Sequence, residues 1–161
     1  MNRKGETDTC WYAIRVTYGR EKKFCSALEE SGFKTFVPAV SNLCFVRTIK
    51  KDLDEYMMSM GEACPARYMW DRAQHRPIIV PDKAMEDFIR VSRIMADEVL
   101  YLKDITSRLH EGQKVRVKSG PFEGIEGVVM RIKRSRRVVV ELPGILAIAT
   151  TYISPTELEI I

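Results

Sequence analysis

From Lys114 to Thr150 the chain repeats one short pattern: a run of five to seven residues of strand character, then a turn signal. The runs are KVRVK, GVVMRIK, RRVVVEL and LAIAT. The turn signals fall at Gly120-Pro121, Glu123-Gly124, Lys133 to Arg136 and Pro143-Gly144. Short period-two runs with no helical stretch between them predict a small all-β barrel. About 50 residues suffice for such a module, at modest stability. Gly120 before Pro121 permits a tight turn, and Gly124 closes it at a positive φ that a side chain disfavours. Gly127 opens a strand, where a missing side chain suits a bulge or a close backbone approach. Phe122 is expected to fold back from its loop as a cap on the barrel.

The residues before about Ser107 follow a different pattern. In WYAIRVTY, Tyr12, Ile14, Val16 and Tyr18 share one face and Trp11, Ala13, Arg15 and Thr17 the other. Apolar bulk on both faces marks a central strand. Gly19 ends it, and Phe24, Cys25, Ala27 and Leu28 then give a helix of about three turns, stopped by Gly32. Phe33 to Phe36 reads as a second strand and NLCFVRT as a third, buried on both faces. Leu53, Tyr56, Met57 and Met60 form the apolar face of a second helix, better explained by core packing than by an adaptable groove. Tyr68 to Trp70 and Arg76 to Val80 read as short extended pieces. Pro81 and Asp82 open a third helix, with Met85, Phe88 and Ile89 on one face. VLYL, from Val99, reads as a last strand. Strand and helix in alternation predict a sheet with flanking helices, joined to the all-β module near Thr106 to Glu111.

Composition removes several function classes. The 161 residues are 45% hydrophobic and 30% charged, which fits a globular protein. The net charge is +4, and after Asp104 basic residues outnumber acidic ones 9 to 6, so the last third is where an acidic partner or polyanion is expected. The opening MNRKGETDT has no apolar core of signal-peptide length, and no later run reaches the roughly 18 apolar residues of a membrane span. A cytosolic protein without membrane contact is expected. The four cysteines form no close pair, and only His75 and His110 are available beside them, so thiols are expected and no metal site. No Gly-rich phosphate loop, nucleophile elbow or HExxH is present. Neither an enzyme nor a cofactor is expected.

EGQKVRVKSGPFEGIEGVVMRIKRSRRVVVEL resembles the KOW motif of NusG and Spt5 transcription factors and of some ribosomal proteins. WYAIRVTYGREKKF resembles the opening of the NusG N-terminal domain, NLCFVRT one of its inner strands, and RPIIVPDKAMEDF its closing strand and helix. The resemblance implies an α+β protein. An N-terminal α/β sandwich, a sheet with flanking helices, covers residues 1–105, and a five-stranded all-β KOW barrel covers 106–161. Around Gly144, Pro143 and Ile145 replace the aromatic and basic residues usual in housekeeping members. That departure resembles the specialised RfaH-like paralogues, most of all the UpxY proteins. Another departure is the direct join at Phe36-Val37, where the family usually carries a hairpin.

The family implies a transcription elongation or antitermination factor whose first domain grips the clamp helices of RNA polymerase. By position Tyr18, Leu43, Phe45, Tyr68 and Trp70 are the residues for that grip, with core packing the competing role, above all for Phe45. Arg72 and Arg76 are placed to touch upstream or non-template DNA, or else are solvated charges; nascent RNA is a further nucleic-acid partner the family allows. Lys133, Arg134, Arg136 and Arg137 form a basic turn, read either as a nucleic-acid contact aided by Lys118 and Phe122 or as a charged turn kept for solubility. Rho and a small-subunit ribosomal protein are the family's partners for the KOW domain, and the residues around Gly144 depart from that use. The alternative is an RNA- or ribosome-binding KOW protein that does not touch polymerase.

Overall fold

The computed structural model describes residues 8–102 and 112–161. The chain divides into two compact units, Met1–Asp82 and Lys83–Ile161. The expected junction near 106–111 falls outside the described residues. The third helix, which the family resemblance assigns to the first domain, is counted with the second unit.

The first unit is built around β1 (Thr9–Val16). It pairs antiparallel along its length with β3 (Leu43–Ile49), and β3 pairs with β2 (Lys34–Phe36). On its other side β1 pairs at one end with β4 (Ala66–Tyr68) and at the other with β7 (Ile79–Val80). The short β5 (Trp70–Asp71) and β6 (Arg76–Pro77) pair only with each other. The central position expected for β1 is therefore observed. Tyr12, Ile14 and Val16 of β1 and Cys44 and Val46 of β3 enter one core with Phe24, Cys25 and Leu28 of α1 (Glu21–Glu30) and Leu53 of α2 (Lys50–Ser59). Full burial of a leucine such as Leu28 or Leu53 contributes about 2 kcal/mol.

Gly32, at φ 91°, ends α1. The Phe33 amide donates to Leu28 O at 3.0 Å and the Gly32 amide to Glu29 O at 2.9 Å, the paired bonds of a Schellman stop. Cys25 of α1 and Cys44 of β3 are joined as a disulfide, which corrects the expectation of four thiols. The packing of α1 over the sheet brings them together, although 19 positions separate them in sequence.

In the second unit α3 (Asp82–Met95) buries Met85, Asp87, Phe88, Val91 and Met95. Its polar side chains hold the loop that carries Gly120 to Glu126. The Asp87 carboxylate accepts from the Glu126 amide at 3.1 Å and from Lys83 Nζ at 2.9 Å. Lys83 also donates to Gly124 O at 2.8 Å, and Arg90 donates to the carbonyls of Glu123 and Pro121.

The strands here are β8 (Leu100–Leu102), β9 (Lys114–Val117), β10 (Glu126–Ile132), β11 (Ser135–Leu142), β12 (Leu146–Tyr152) and β13 (Leu158–Ile160). They form a six-stranded sheet in the order β13-β9-β10-β11-β12-β8. The five-stranded closed barrel expected from the sequence is thus corrected. β12 pairs with β8, which precedes the expected boundary, and the outer strands β13 and β8 are not hydrogen-bonded neighbours. The mixture of helices and strands expected for the chain is observed.

Gly127 sits in β10 where the backbone of β11 comes close. A Cβ added there meets Val139 O at 2.3 Å and Val138 Cγ1 at 2.9 Å. Backbone yields poorly to such a clash, so Gly127→Ala is expected to lower stability by about 2 kcal/mol or more. Thermal unfolding of the two proteins tests this, and an unchanged midpoint argues against the close approach.

Candidate functional site

Strand parity decides which residues of the first unit share a surface. Ala13 stands opposite Phe45, Arg15 opposite Leu43 and, on the other side, opposite Arg67, so these residues line one face. Ile14 stands opposite Tyr68, which places Tyr68 on the helix-covered face with Tyr12. The five residues read from sequence as one grip therefore do not form one patch. Phe45 is fully buried and Leu43 nearly so. Tyr68 packs edge-on against Tyr12 at 5.6 Å, lies under Lys50 Nζ at 5.5 Å, and donates its hydroxyl to Asp54 Oδ1 at 2.6 Å. Burial, reinforced by that hydrogen bond and the nearby carboxylate, holds its hydroxyl pKa far above the usual tyrosine value. Its role is to brace α2 against the sheet. Tyr18 and Trp70 are the two exposed members, at 76% and 54%.

Trp70 belongs to a small polar hairpin. Trp70 of β5 faces Pro77 of β6, and Asp71 faces Arg76. Asp71 Oδ1 accepts from the amides of Ala73 at 3.0 Å and Gln74 at 3.2 Å, which fixes the turn. Arg72 is exposed on that turn and Arg76 half-buried on β6, so the hairpin gathers one aromatic and two of the predicted cations.

Near the end of β1, a cleft of about 500 Å³ is lined by residues including Arg15, Thr17, Asn42, Pro65 and Arg67. Sequence reading passed over both arginines. Their signal was the polar break in otherwise apolar strands, but their pairing needed the register of β4 on β1.

The second unit carries a basic cluster. Arg131, Lys133, Arg134, Arg136 and Arg137 supply five cations in seven residues. None makes an ion pair among the described residues. Lys133 and Arg134 form the two-residue turn between β10 and β11 at φ 49° and 67°, the backbone of a type I′ turn. Positive φ costs a non-glycine residue about 1–2 kcal/mol. Arg131 stands opposite Arg136. In such a hairpin the second pair from the turn is where side chains approach most closely, and like charges there destabilise by roughly 0.2–1 kcal/mol.

Arg137 donates from Nη1 to Thr150 O at 3.3 Å and faces Tyr152 of β12, which is 58% exposed. Arg131 and Tyr152 were missed from the sequence. A two-residue turn at 133–134 is the signal that puts Arg131 against Arg136. Lys118 and Phe122, expected to assist this turn, lie beyond the other end of β10, about 20 Å away along the strand. Phe122 is only 6% exposed, which leaves little of its ring accessible for stacking.

Among the described residues no group of three histidine, cysteine or acidic side chains is placed to hold a metal ion. No helix among them is long and apolar enough to cross a membrane.

A family model described as the KOW motif matches residues 111–141, which include the basic turn and the Gly120 to Glu126 loop. No curated protein matches the chain. Among solved structures, one described as "Domain interaction in Thermotoga maritima NusG" is similar over 98% of this chain and 99% of that one. The identity is 20% and the TM-score 0.51, a likeness of fold.

The rim of the cleft in the first unit is sensitive to pH through Glu21. Asn42, at φ 68°, donates its backbone amide to Glu21 Oε1 at 2.6 Å and its side-chain nitrogen to Val16 O at 3.1 Å. The Asn42 amide is the largest cause holding the Glu21 carboxyl below the ordinary value of 4.5. A depressed carboxyl contributes stability that is fully present above its unfolded pKa and lost as pH falls through the folded one. Below about pH 4.5, Glu21→Gln is therefore expected to lose less stability than the native protein with each step of acidification. Unfolding midpoints measured down to about pH 3 check this; parallel acid limbs count against it.

Proposed function

We propose that the chain is a transcription elongation factor of the NusG type, non-enzymatic, which binds RNA polymerase at its clamp helices and favours processive elongation. Residues 1–105 supply the polymerase contact in this reading and residues 106–161 the KOW module. The observation that carries it is the likeness of fold to NusG over the full length of both chains, with the KOW match at the expected end. The exposed Trp70 on its hairpin, beside Arg72 and Arg76, supports it from the first unit. The mechanism is differential binding: a ligand that prefers the closed clamp shifts the enzyme toward that state without making or breaking a bond.

Pro143 and Ile145 at the β11–β12 turn support a narrower version, an operon-specific antitermination paralogue rather than a housekeeping factor. They also speak against Rho or a ribosomal protein as the partner of this turn. A cytosolic location follows from the proposed function.

The test is retention of the chain by purified core RNA polymerase, with three proteins compared. The native chain is expected to bind. Tyr18→Ala with Trp70→Ala removes the two exposed aromatics and is expected to weaken binding by tenfold or more, since interface energy concentrates in such residues. Tyr68→Phe is expected to keep binding while losing about 1 kcal/mol of stability, because only its hydrogen bond to Asp54 goes. Failure of the native chain to bind removes the proposal.

A further inference from the structure

Arg15 carries a charge into the middle of a sheet. β1 is hydrogen-bonded on both sides, so Arg15 stands between Leu43 of β3 and Arg67 of β4, on the face turned away from α1 and α2. That face of β1 is buried and apolar at Trp11 and Ala13 and opens to solvent at Arg15. Like charges directly opposite one another on paired strands destabilise the pair, and a nearby carboxylate relieves them. The first unit supplies none. Neither arginine makes an ion pair among the described residues, and no acidic side chain lines the cleft of about 500 Å³ that both border. Glu21, at the rim, has its Oε1 engaged by the Asn42 amide.

Guanidinium groups bind carboxylates and phosphates through paired N–H bonds. The surroundings here favour carboxylates. Beyond the two arginines the cleft is walled by uncharged side chains such as Pro65 and Ala66, with no aromatic ring to hold a base and no further cation to follow a phosphate backbone. Spacing points the same way. Residues directly opposed on antiparallel strands have Cα atoms about 4.5–5.5 Å apart, and side chains one turn apart on a helix are separated by about 5–6 Å. Two acidic residues at i and i+4 of one helix therefore present a carboxylate to each arginine at once.

We propose that Arg15 and Arg67 form a docking site for a partner helix that carries two carboxylates one turn apart. In naming that helix as one of the clamp helices of RNA polymerase, the proposal rests on the functional reading above. The pair adds a charge requirement to the contact: two unneutralised guanidinium groups accept an acidic helix and reject one that is neutral or basic at those positions.

Titration of core RNA polymerase, free of nucleic acid, with the full chain across a salt series tests the proposal. Arg15→Gln with Arg67→Gln removes both charges and their mutual repulsion, so the melting temperature is expected to hold or rise. Its binding is expected to be weaker than that of the native chain by about tenfold at low salt, the gap closing as salt rises. Arg15→Lys with Arg67→Lys keeps the charges and is expected to recover part of the loss. The proposal is overturned if the glutamine variant binds as well as the native chain, if salt does not narrow the gap, or if the lysine variant is no better than the glutamine one.

A native chain that does not bind polymerase loses the functional reading, and a synthetic helical peptide then decides this one. The peptide carries glutamates at i and i+4 and is compared with the same peptide carrying glutamines there. The native chain is expected to prefer the glutamate peptide, and the glutamine variant of the chain to show no preference. No preference by the native chain overturns the proposal. So does a labelled oligothymidylate that binds the native chain and is lost by the glutamine variant, since that result assigns the cleft to nucleic acid.

Discussion

The first unit depends on the pairing of β1 on both sides at once. With β3 along one edge and β4 and β7 sharing the other, β1 has its backbone groups satisfied by neighbouring strands, which frees it to bury both faces. An edge strand of this composition would expose a hydrophobic ladder to solvent. Because β4 takes one end and β7 the other, the segment between them is displaced from the sheet. The Met69 amide donates to Ala13 O at 2.9 Å and the Ile78 amide to Met69 O at 2.9 Å, so the chain leaves and re-enters at fixed points. The β5–β6 hairpin, with Trp70 at its base, is the consequence of that detour.

In the second unit the corresponding constraint is electrostatic. Asp87 is a buried carboxylate, and a buried charge is tolerated only when paired and hydrogen-bonded. Lys83 and the Glu126 amide meet that need, and the amide belongs to the loop that leads into β10. Helix and loop therefore fix one another, and β10 starts from a set position. Gly127 follows directly, where only a hydrogen fits against Val139 O. The register of β10 on β11 is thereby held from one end, which carries the Lys133-Arg134 turn out at the other.

Features that follow from short-range pattern were legible in the sequence. The Gly32 stop, the central character of β1, the helix opened at Asp82 and the close approach at Gly127 all rest on residues within a few positions of each other. Features that depend on long-range pairing were not. Whether the β module closes depends on which strand β12 meets, and no period in LAIAT states that its partner is LYL. The three residues of β13 carry too little pattern to announce a strand. Tyr68 and Phe45 fall on opposite faces because of how β4 registers on β1, so a list of aromatics by position cannot separate them. Cys25 and Cys44 meet only once α1 lies over β3. The cluster of exposed cations was legible as a run; the pairing that sharpens it, Arg131 with Arg136, was not.

Every sheet in the described residues ends in a very short strand. β2 and β4 have three residues, β7 has two, β5 and β6 two each, and β8 and β13 three each. An open edge that brief presents one or two unpaired amides and carbonyls, too few to template a strand from another molecule. Sheet extension, the common route from a folded β protein to fibrils or runaway oligomers, is closed along these borders. Borders this brief let the described sheets display bare aromatics and clustered charge while offering little backbone template along those edge strands.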